Sequence, residues 1–233
     1  MLARRFVPIC LSLLAISCDS GSSSKGLMPP RDATPARAPD LFRVTFETSR
    51  GPFVVEARRS WSPKGVDRFY QLVKNGYYDG NRFFRVVPGF VVQWGAHGDP
   101  AVNAAWDKLY IADDSVAHSN ARGTVVFATM GPNTRAAQLF VNLVNNSQLD
   151  GMGFSPFGEV VDGMAVVDSL YSGYGEGPPA GFGPDQREIM QRGNTYLERN
   201  FPDLDFIRSA RVLESIVPPG MVTPPARVDT TRK

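Results

Sequence analysis

The segment most informative about the fold is Gly123–Val141, which has the sequence GTVVFATMGPNTRAAQLFV. Its two ends lie in the runs Thr124–Thr129 and Leu139–Leu143, which are rich in the β-branched and large apolar residues that strands favour. Between the runs, a Gly-Pro-Asn sequence supplies residues that turns use. Two short apolar runs separated by turn residues are typical of strands in an antiparallel sheet.

The same pattern extends along the chain in both directions. Phe42, Val44 and Phe46 alternate with polar residues, and Phe53–Ala57 follows a Gly-Pro break as the partner strand of a hairpin. The other predicted strands are Phe83–Val87, Phe90–Gln93, Phe157–Val161 and Ile207–Leu213. Short strands at such close intervals predict a mainly β fold, a closed antiparallel barrel of eight strands.

Two helices are predicted to cap this barrel. Ser62 is a suitable N-cap residue, Pro63 suits the first helical turn, and Asn75-Gly76 ends the first helix. Its apolar face is formed by Val66, Phe69, Tyr70 and Val73. The second helix follows Asp162, and its buried face is formed by Met164, Val167 and Leu170.

Composition divides the chain into four parts. Residues 1–18 form an apolar leader, and residues 19–40 form a Pro- and Ser-rich stretch that is typical of a flexible tether. Residues 41–215 form the folded domain, in which the Gly-rich and then charged segment 171–203 is interpreted as a surface excursion. Residues 216–233 are polar and Pro-containing and predict a disordered tail.

The leader has the features of an export signal. Arg4 and Arg5 precede the apolar stretch Phe6–Ile16, which is too short to span a bilayer. The small residues before Cys18 resemble a bacterial lipoprotein cleavage box, in which the cysteine is acylated; ordinary signal-peptide cleavage at Ala15 and Ser17 stays open as an alternative. The prediction is an exported lipoprotein anchored through Cys18 on the periplasmic or other extracytoplasmic side of a membrane.

Charge and cysteine content exclude several classes of function. The formal net charge is +2, and basic and acidic residues balance once Arg4 and Arg5 are removed, which argues against a nucleic-acid partner. Both cysteines precede the folded domain, so it holds no thiol catalyst or thiolate metal site. His97 and His118 lack ligand-like spacing, and no metal or other cofactor is predicted.

The candidate site lies on two of the predicted strand pairs. Arg85 and Gln93 are polar members of strands that are otherwise rich in Phe and Val, and alternation allows them to share a groove with Phe90. Gln138 and Phe140 are two residues apart on a later strand and therefore share a face. An apolar pocket with a guanidinium and amides on its rim is typical of peptide binding and lacks the parts of a hydrolase.

Three segments resemble, in order and spacing, the signature segments of the cyclophilin family. They are Phe83–Gln93 (FFRVVPGFVVQ), Gly123–Val141, and Leu149–Gly151 followed by Phe157–Met164 (FGEVVDGM). The resemblance covers about residues 41–213 and implies a cyclophilin-like barrel that catalyses peptidyl-prolyl cis-trans isomerisation without a cofactor. The implied substrates are proline-containing unfolded or folding polypeptides.

The resemblance also assigns roles to residues. Arg85 would be the central catalytic residue, acting together with Phe90, Gln93 and Gln138, and the two glutamines would hold the substrate backbone. The implied proline pocket and its surroundings comprise Phe90, Val91, Phe140, Leu149 and Phe154. Main-chain groups of Ala128 and Thr129 would contact the residue before proline.

Several positions depart from the family pattern, among them the segment Met152–Pro156, which is one residue longer than usual and has Phe154 in the place of a common pocket His. Val91 stands where Met is usual, Thr129 where Asn is commoner, and Phe84 where His is often found. Gln148 stands where many eukaryotic members have a Trp that assists cyclosporin binding, so weak inhibition by that drug is expected. Two rival interpretations stay open from the sequence: a non-catalytic module that binds proline-containing segments, and a purely structural envelope lipoprotein.

Overall fold

The computed structural model describes residues 27–29 and 35–213, which contain an eight-stranded antiparallel sheet with helices packed on it. The strands are β1 (Leu41–Thr48), β2 (Gly51–Arg58), β3 (Arg85–Val87), β4 (Val91–Trp94), β5 (Thr124–Phe127), β6 (Leu139–Asn142), β7 (Pro156–Asp162) and β8 (Ile207–Leu213). Each corresponds to a predicted strand, and every predicted end lies within two residues of the observed one. The mainly β prediction is confirmed.

The sheet curls but does not close, so the prediction of a closed barrel is wrong. Its strand order is β3-β4-β6-β5-β7-β2-β1-β8, which leaves β3 and β8 as the two edges. Only an isolated bridge between Arg82 and Phe206 crosses the seam, together with single backbone bonds such as Phe83 N to Asp205 O at 3.0 Å. The ladder stops there because β3 has three residues and the chain before it is a run of turns.

Aromatic side chains fill the inside of the curled sheet. The alternating residues of β1 point inward as predicted, and the Phe46 ring stacks on Phe53 across the hairpin with a centroid distance of 4.9 Å. Trp94 of β4 meets the Phe46 ring edge-on at 5.7 Å. Offset and edge-on aromatic contacts of this kind add to the free energy of burying large rings. The core therefore holds β4, and the site it carries, against the first hairpin.

The helices differ from the prediction in number. Those observed are α1 (Pro63–Lys74), α2 (Pro100–Trp106), α3 (Met164–Asp168) and α4 (Gln186–Asn200), and a 3₁₀ helix spans Ser147–Met152. The two predicted helices correspond to α1 and α3, whereas α2 and α4 were not predicted. Helix α2 is short, and α4 contains Gly193 in a non-helical conformation, so neither presents a long uninterrupted apolar face.

Helix α1 is capped by a residue distant in sequence. Ser62 occupies the N-cap position, but its hydroxyl donates to Asp114 Oδ2 at 2.6 Å and makes no capping bond to the helix. The Asp114 carboxylate accepts instead from the backbone N–H of Gly65 at 2.9 Å and of Lys64 at 3.2 Å. An acidic side chain at this position satisfies free N–H groups and complements the helix dipole.

The segment 171–203 contributes a second apolar cluster as well as a surface. Ile189 and Leu197 of α4 are buried with Leu204, Ala96 and Phe84, the last of which immediately precedes β3. Helix α4 also contacts α2, and Asn194 N donates at 2.9 Å to the backbone carbonyl of Gly98, which lies two residues before α2. Packing of this kind fixes the segment on the domain beside β3 and β4.

Contacts with the domain begin before residue 41, inside the stretch interpreted as a tether. The backbone carbonyl of Leu27 accepts from Trp106 Nε1 at 2.8 Å, and Leu27 and Met28 pack on the core. Ala38 is buried, and its N–H donates to Asp67 Oδ1 at 2.9 Å. Among the described residues, none of the helices is both long and apolar enough to cross a bilayer.

Candidate active site

The register of three strands brings the central polar residues together. Arg85 of β3 lies opposite Gln93 of β4, and Gln93 lies opposite Phe140 of β6. Directly opposed residues of an antiparallel ladder have side chains on the same face of the sheet. The alternation of polar and apolar residues therefore sets a guanidinium, an amide and an aromatic ring side by side.

A chain of side-chain hydrogen bonds links the polar groups. Arg85 Nη1 donates to Gln93 Oε1 at 3.0 Å, and Gln93 Nε2 donates to Gln138 Oε1 at 2.9 Å. Gln93 is buried, so both ends of its amide need a partner, and both have one. The chain fixes the orientation of the two amides relative to the guanidinium.

An apolar pocket adjoins this chain. Val91, Phe140 and Leu149 form a buried cluster with Val126, against which Phe90, Ala128 and Phe154 pack in part. The Phe154 ring meets Phe140 edge-on at 5.7 Å, and the Arg85 guanidinium lies 5.4 Å from the centre of the Phe90 ring. The guanidinium thus stands at the mouth of the pocket, over an aromatic face.

One cavity of about 660 Å³ is lined by all ten residues of the domain that the sequence predicted to be site residues. They are Arg85, Phe90, Val91, Gln93, Ala128, Thr129, Gln138, Phe140, Leu149 and Phe154. A cavity of this size, mostly apolar and with a few convergent polar groups, is typical of a ligand site. The predicted lipidation residue, Cys18, lies outside the described residues.

Buried asparagines, which the sequence reasoning missed, hold the pocket walls in place. Asn146 Nδ2 donates to the backbone carbonyl of Phe90 at 3.0 Å, and Asn120 Nδ2 donates to that of Phe154 at 2.9 Å. Asn142 joins the two, donating to Asn120 Oδ1 at 3.1 Å and accepting from Asn146 Nδ2 at 2.8 Å. Nothing local marks these residues, because each acts on a backbone group far away in sequence.

The main-chain groups assigned to Ala128 and Thr129 are partly occupied. The N–H of Ala128 donates to Gln138 O at 2.9 Å, so a ligand contact from this residue would fall to its carbonyl group. The Thr129 hydroxyl lies 2.7 Å from the Thr134 hydroxyl, within the turn that joins β5 to β6. The Thr129 side chain therefore stabilises the turn, at a position where Asn is commoner in the family.

Glu176, from the 171–203 segment, pairs with Arg85 and was not predicted. Its two carboxylate oxygens accept from Arg85 Nε at 2.7 Å and from Arg85 Nη2 at 2.6 Å. These hydrogen bonds lower the pKa of Glu176 below its ordinary value of 4.5, and burial opposes them only in part. The carboxylate is therefore ionised at neutral pH.

Helix α4 supplies a further wall of the cavity that the sequence did not indicate. Gln186, Arg187, Met190 and Gln191 of this helix line the same cavity. The helix is held there by Phe84, which is buried against Ile189 and Leu197. Phe84 is one of the departures from the family pattern, and its large apolar side chain serves as the docking point of the segment.

Comparisons with known proteins show the family to which the chain belongs. The family model described as cyclophilin type peptidyl-prolyl cis-trans isomerase matches residues 43–182. Peptidyl-prolyl cis-trans isomerase ppi1 of Schizosaccharomyces pombe is 37% identical over 133 residues, which cover 56% of this chain and 85% of that protein. Peptidyl-prolyl cis-trans isomerase B of Escherichia coli is 35% identical over 136 residues, covering 54% and 82%.

A solved structure shares the fold. The crystal structure of a cyclophilin type peptidyl-prolyl cis-trans isomerase of Cryptosporidium parvum aligns with a TM-score of 0.54 at 23% identity, covering 75% of this chain and 99% of the other. With fold, family model and relatives in agreement, the chain belongs to the cyclophilin-type peptidyl-prolyl cis-trans isomerase family. It is an isomerase of that type.

Proposed function

We propose that the chain accelerates rotation about X–Pro bonds by stabilising the twisted amide with the guanidinium of Arg85. Rotation about a peptide bond faces a barrier of about 18–20 kcal/mol, because resonance keeps the amide planar. X–Pro bonds populate both isomers and interchange over tens of seconds or longer. A catalyst of this reaction needs no nucleophile; it needs to bind the twisted amide more tightly than either planar form.

The observation that supports this mechanism is the position of Arg85 at the mouth of an apolar pocket. In the twisted state the amide nitrogen becomes pyramidal and gains a lone pair, which a fixed N–H donor stabilises. Arg85 is held by Gln93 and lies over the Phe90 ring, so its donors are oriented before a substrate arrives. Phe140 and Leu149 are buried beside it and offer an apolar seat for a proline ring. Each preference of about 1.4 kcal/mol for the twisted state is worth tenfold in rate.

We further propose that the substrates are exported polypeptides that are unfolded or still folding. Unfolded chains expose X–Pro bonds in both isomers, and their slow exchange limits folding. The support for export is the leader of residues 1–18, with two arginines, a short apolar stretch and the small residues before Cys18. A lipid on Cys18 would hold the enzyme at the extracytoplasmic face of a membrane. Mass spectrometry of the mature N-terminus tests this, since an unmodified Cys18 would remove the anchor.

The mechanism is tested by catalysed cis-trans exchange of a short Ala-Pro peptide, measured by NMR with the purified chain and its Arg85→Ala variant. We expect acceleration by the unmodified chain and loss of most of it in the variant. Peptide affinity is measured in the same titrations, so binding and rotation are separated. A variant as fast as the unmodified chain would remove Arg85 from the mechanism. Binding without acceleration by the unmodified chain would instead favour a proline-peptide binding module.

A further inference from the structure

The guanidinium of Arg85 is bonded on two edges by residues from different parts of the chain. Glu176 takes the edge formed by Nε and Nη2, with hydrogen bonds of 2.7 and 2.6 Å, and Gln93 accepts from Nη1 at 3.0 Å. The Phe90 ring faces the same guanidinium at 5.4 Å. Bonds on two edges and a ring on one face leave the group little freedom to rotate or tilt.

The pair with Glu176 does not exhaust the donors of Arg85. A guanidinium carries five N–H groups. Glu176 takes two of them and Gln93 takes one, so two remain for a ligand. The Arg85 side chain is 20% exposed, and it lines the cavity. The carboxylate therefore restrains the guanidinium and leaves donors that a substrate amide can reach.

Glu176 is itself fixed by its own segment. Its Oε1 atom accepts from the backbone N–H of Gly177 at 3.1 Å, and its backbone carbonyl accepts from Gly183 N at 2.8 Å. The segment is anchored on the domain by the buried side chains of Ile189 and Leu197. The carboxylate is thus part of a packed structure, which allows it to define where the guanidinium lies.

We propose that Glu176 is a positioning residue, which holds the Arg85 guanidinium in the orientation that stabilises the twisted prolyl amide. This inference rests on the proposed function, in which Arg85 is the catalytic donor. A side-on carboxylate is the partner whose two oxygens match the fork of Arg most closely, so it fixes both direction and plane. Small misplacements of a catalytic group cost large factors in rate, which makes such a restraint useful.

The competing interpretation is that Glu176 occupies Arg85 in place of the substrate and slows the enzyme. The two interpretations predict opposite effects on removing the carboxylate. A positioning residue predicts a lower catalysed rate with little change in peptide affinity. A competitor predicts a higher rate, tighter peptide binding, or both.

The experiment compares Glu176→Ala and Glu176→Gln in the purified chain, with cis-trans exchange and peptide affinity measured by NMR. We expect about a tenfold lower exchange rate for Glu176→Ala and a smaller loss for Glu176→Gln, whose amide oxygen still accepts one N–H bond. The matched control is Glu188→Ala on the same segment, where the carboxylate pairs with Arg192 at 2.9 Å and does not contact Arg85. We expect the control to keep the unmodified rate.

Two further readouts distinguish positioning from a general structural role. In an Arg85→Ala background, Glu176→Ala should cause no additional loss, because Glu176 acts only through Arg85. The Arg85 side-chain N–H resonances should shift in both Glu176 variants and stay in place in the control. A faster Glu176→Ala variant, or an unchanged one, overturns this inference while leaving the proposed function intact. An unmodified chain that fails to accelerate exchange defeats the proposed function itself.

Discussion

The side-chain amide of Gln93 donates a hydrogen bond of 2.9 Å to Oε1 of Gln138. Gln93 also accepts a hydrogen bond from Arg85. Because a guanidinium can only donate, Gln93 turns its amide oxygen toward Arg85 and its amide nitrogen toward Gln138, which fixes the orientation of both amides. Gln138 lines the cavity, and within the described part of the chain its amide nitrogen donates to no side chain. We therefore expect the N–H groups on that nitrogen to donate to the carbonyl of a bound peptide.

Replacing Gln138 by Leu is expected to weaken peptide binding while leaving the fold intact. The substitution removes the donor for the peptide and the acceptor for Gln93, at a partly exposed position. A net hydrogen bond is worth about 0.5–1.5 kcal/mol, which corresponds to a loss of affinity of about two- to tenfold. NMR titration with an Ala-Pro peptide measures the change. Unaltered affinity in this variant would show that Gln138 does not hold the substrate.

Replacing Phe140 by Leu is expected to weaken the binding of proline-containing peptides. The ring is buried, packs edge-on against Phe154 and lines the cavity, so its loss removes apolar contact from the pocket. Leu keeps an apolar side chain at the position and limits the damage to the core. We expect a several-fold loss of affinity for an Ala-Pro peptide. The matched comparison is an Ala-Ala peptide, whose weak binding should not change further.

Stability at low pH is expected to depend on Asp114. Burial alone raises the pKa of this carboxyl, but hydrogen bonds from Ser62 and Gly65 and the charge of Arg135 outweigh it, so the pKa lies below the ordinary 3.8. A lowered pKa in the folded state stabilises the fold above the unfolded value of 3.8, and this stabilisation is lost as the pH falls through the folded value. At neutral pH, Asp114→Asn should lower the free energy of unfolding by about 2 kcal/mol.

Urea unfolding between pH 7 and pH 3 measures this dependence. The free energy of unfolding of the unmodified chain should fall toward low pH. That of the Asp114→Asn variant should depend less on pH, so the two values should approach each other at the lowest pH measured. Asp168→Asn is a suitable control, because its partner Arg122 forms an exposed pair in which both side chains are 44% exposed. Such exposed pairs contribute little. Parallel profiles for Asp114→Asn and the unmodified chain would contradict the prediction.

Replacing Ile189 by Ala is expected to destabilise the protein through the second apolar cluster. Ile189 is fully buried against Phe84 and Leu197, and removing such a side chain costs about 2–5 kcal/mol. Chemical denaturation followed by tryptophan fluorescence measures the loss. A change within error would mean that α4 does not pack on the domain. The exposed neighbour Arg192 provides a control, since Arg192→Ala removes a surface pair with Glu188 and a contact with the Tyr196 ring but no buried apolar side chain.

The strands and the polar residues of the site follow from sequence because both depend on local patterns. The alternation in Phe42, Val44 and Phe46 specifies which face of β1 is buried, and the same period brings Arg85 and Gln93 to one side of the sheet. Closure of the sheet does not follow, because periodicity specifies a face and says nothing of the partner at an edge. The turns before β3 prevent a full ladder with β8.

The structure of the 171–203 segment, and its contact with the site, could not be predicted from the sequence. Gly193, with a φ of 54°, interrupts the helical pattern of α4, and the preceding Gly-rich stretch has no periodicity. Glu176 is 91 residues from Arg85, so no local signal connects them. One position did carry a signal: Phe84, where the family often has His, is the apolar residue on which α4 docks.

The contact between Leu27 and Trp106 sets a limit on how far the domain can stand from an anchoring point. Leu27 is nine positions after Cys18, and a fully extended chain spans at most about 3.3–3.6 Å per residue, or roughly 30 Å in all. Without that contact the buried Ala38 would be the point of attachment, and the span would exceed twice that length. For a chain acylated at Cys18, as proposed above, the point at which Leu27 joins the domain would then lie within about one bilayer thickness of the lipid surface.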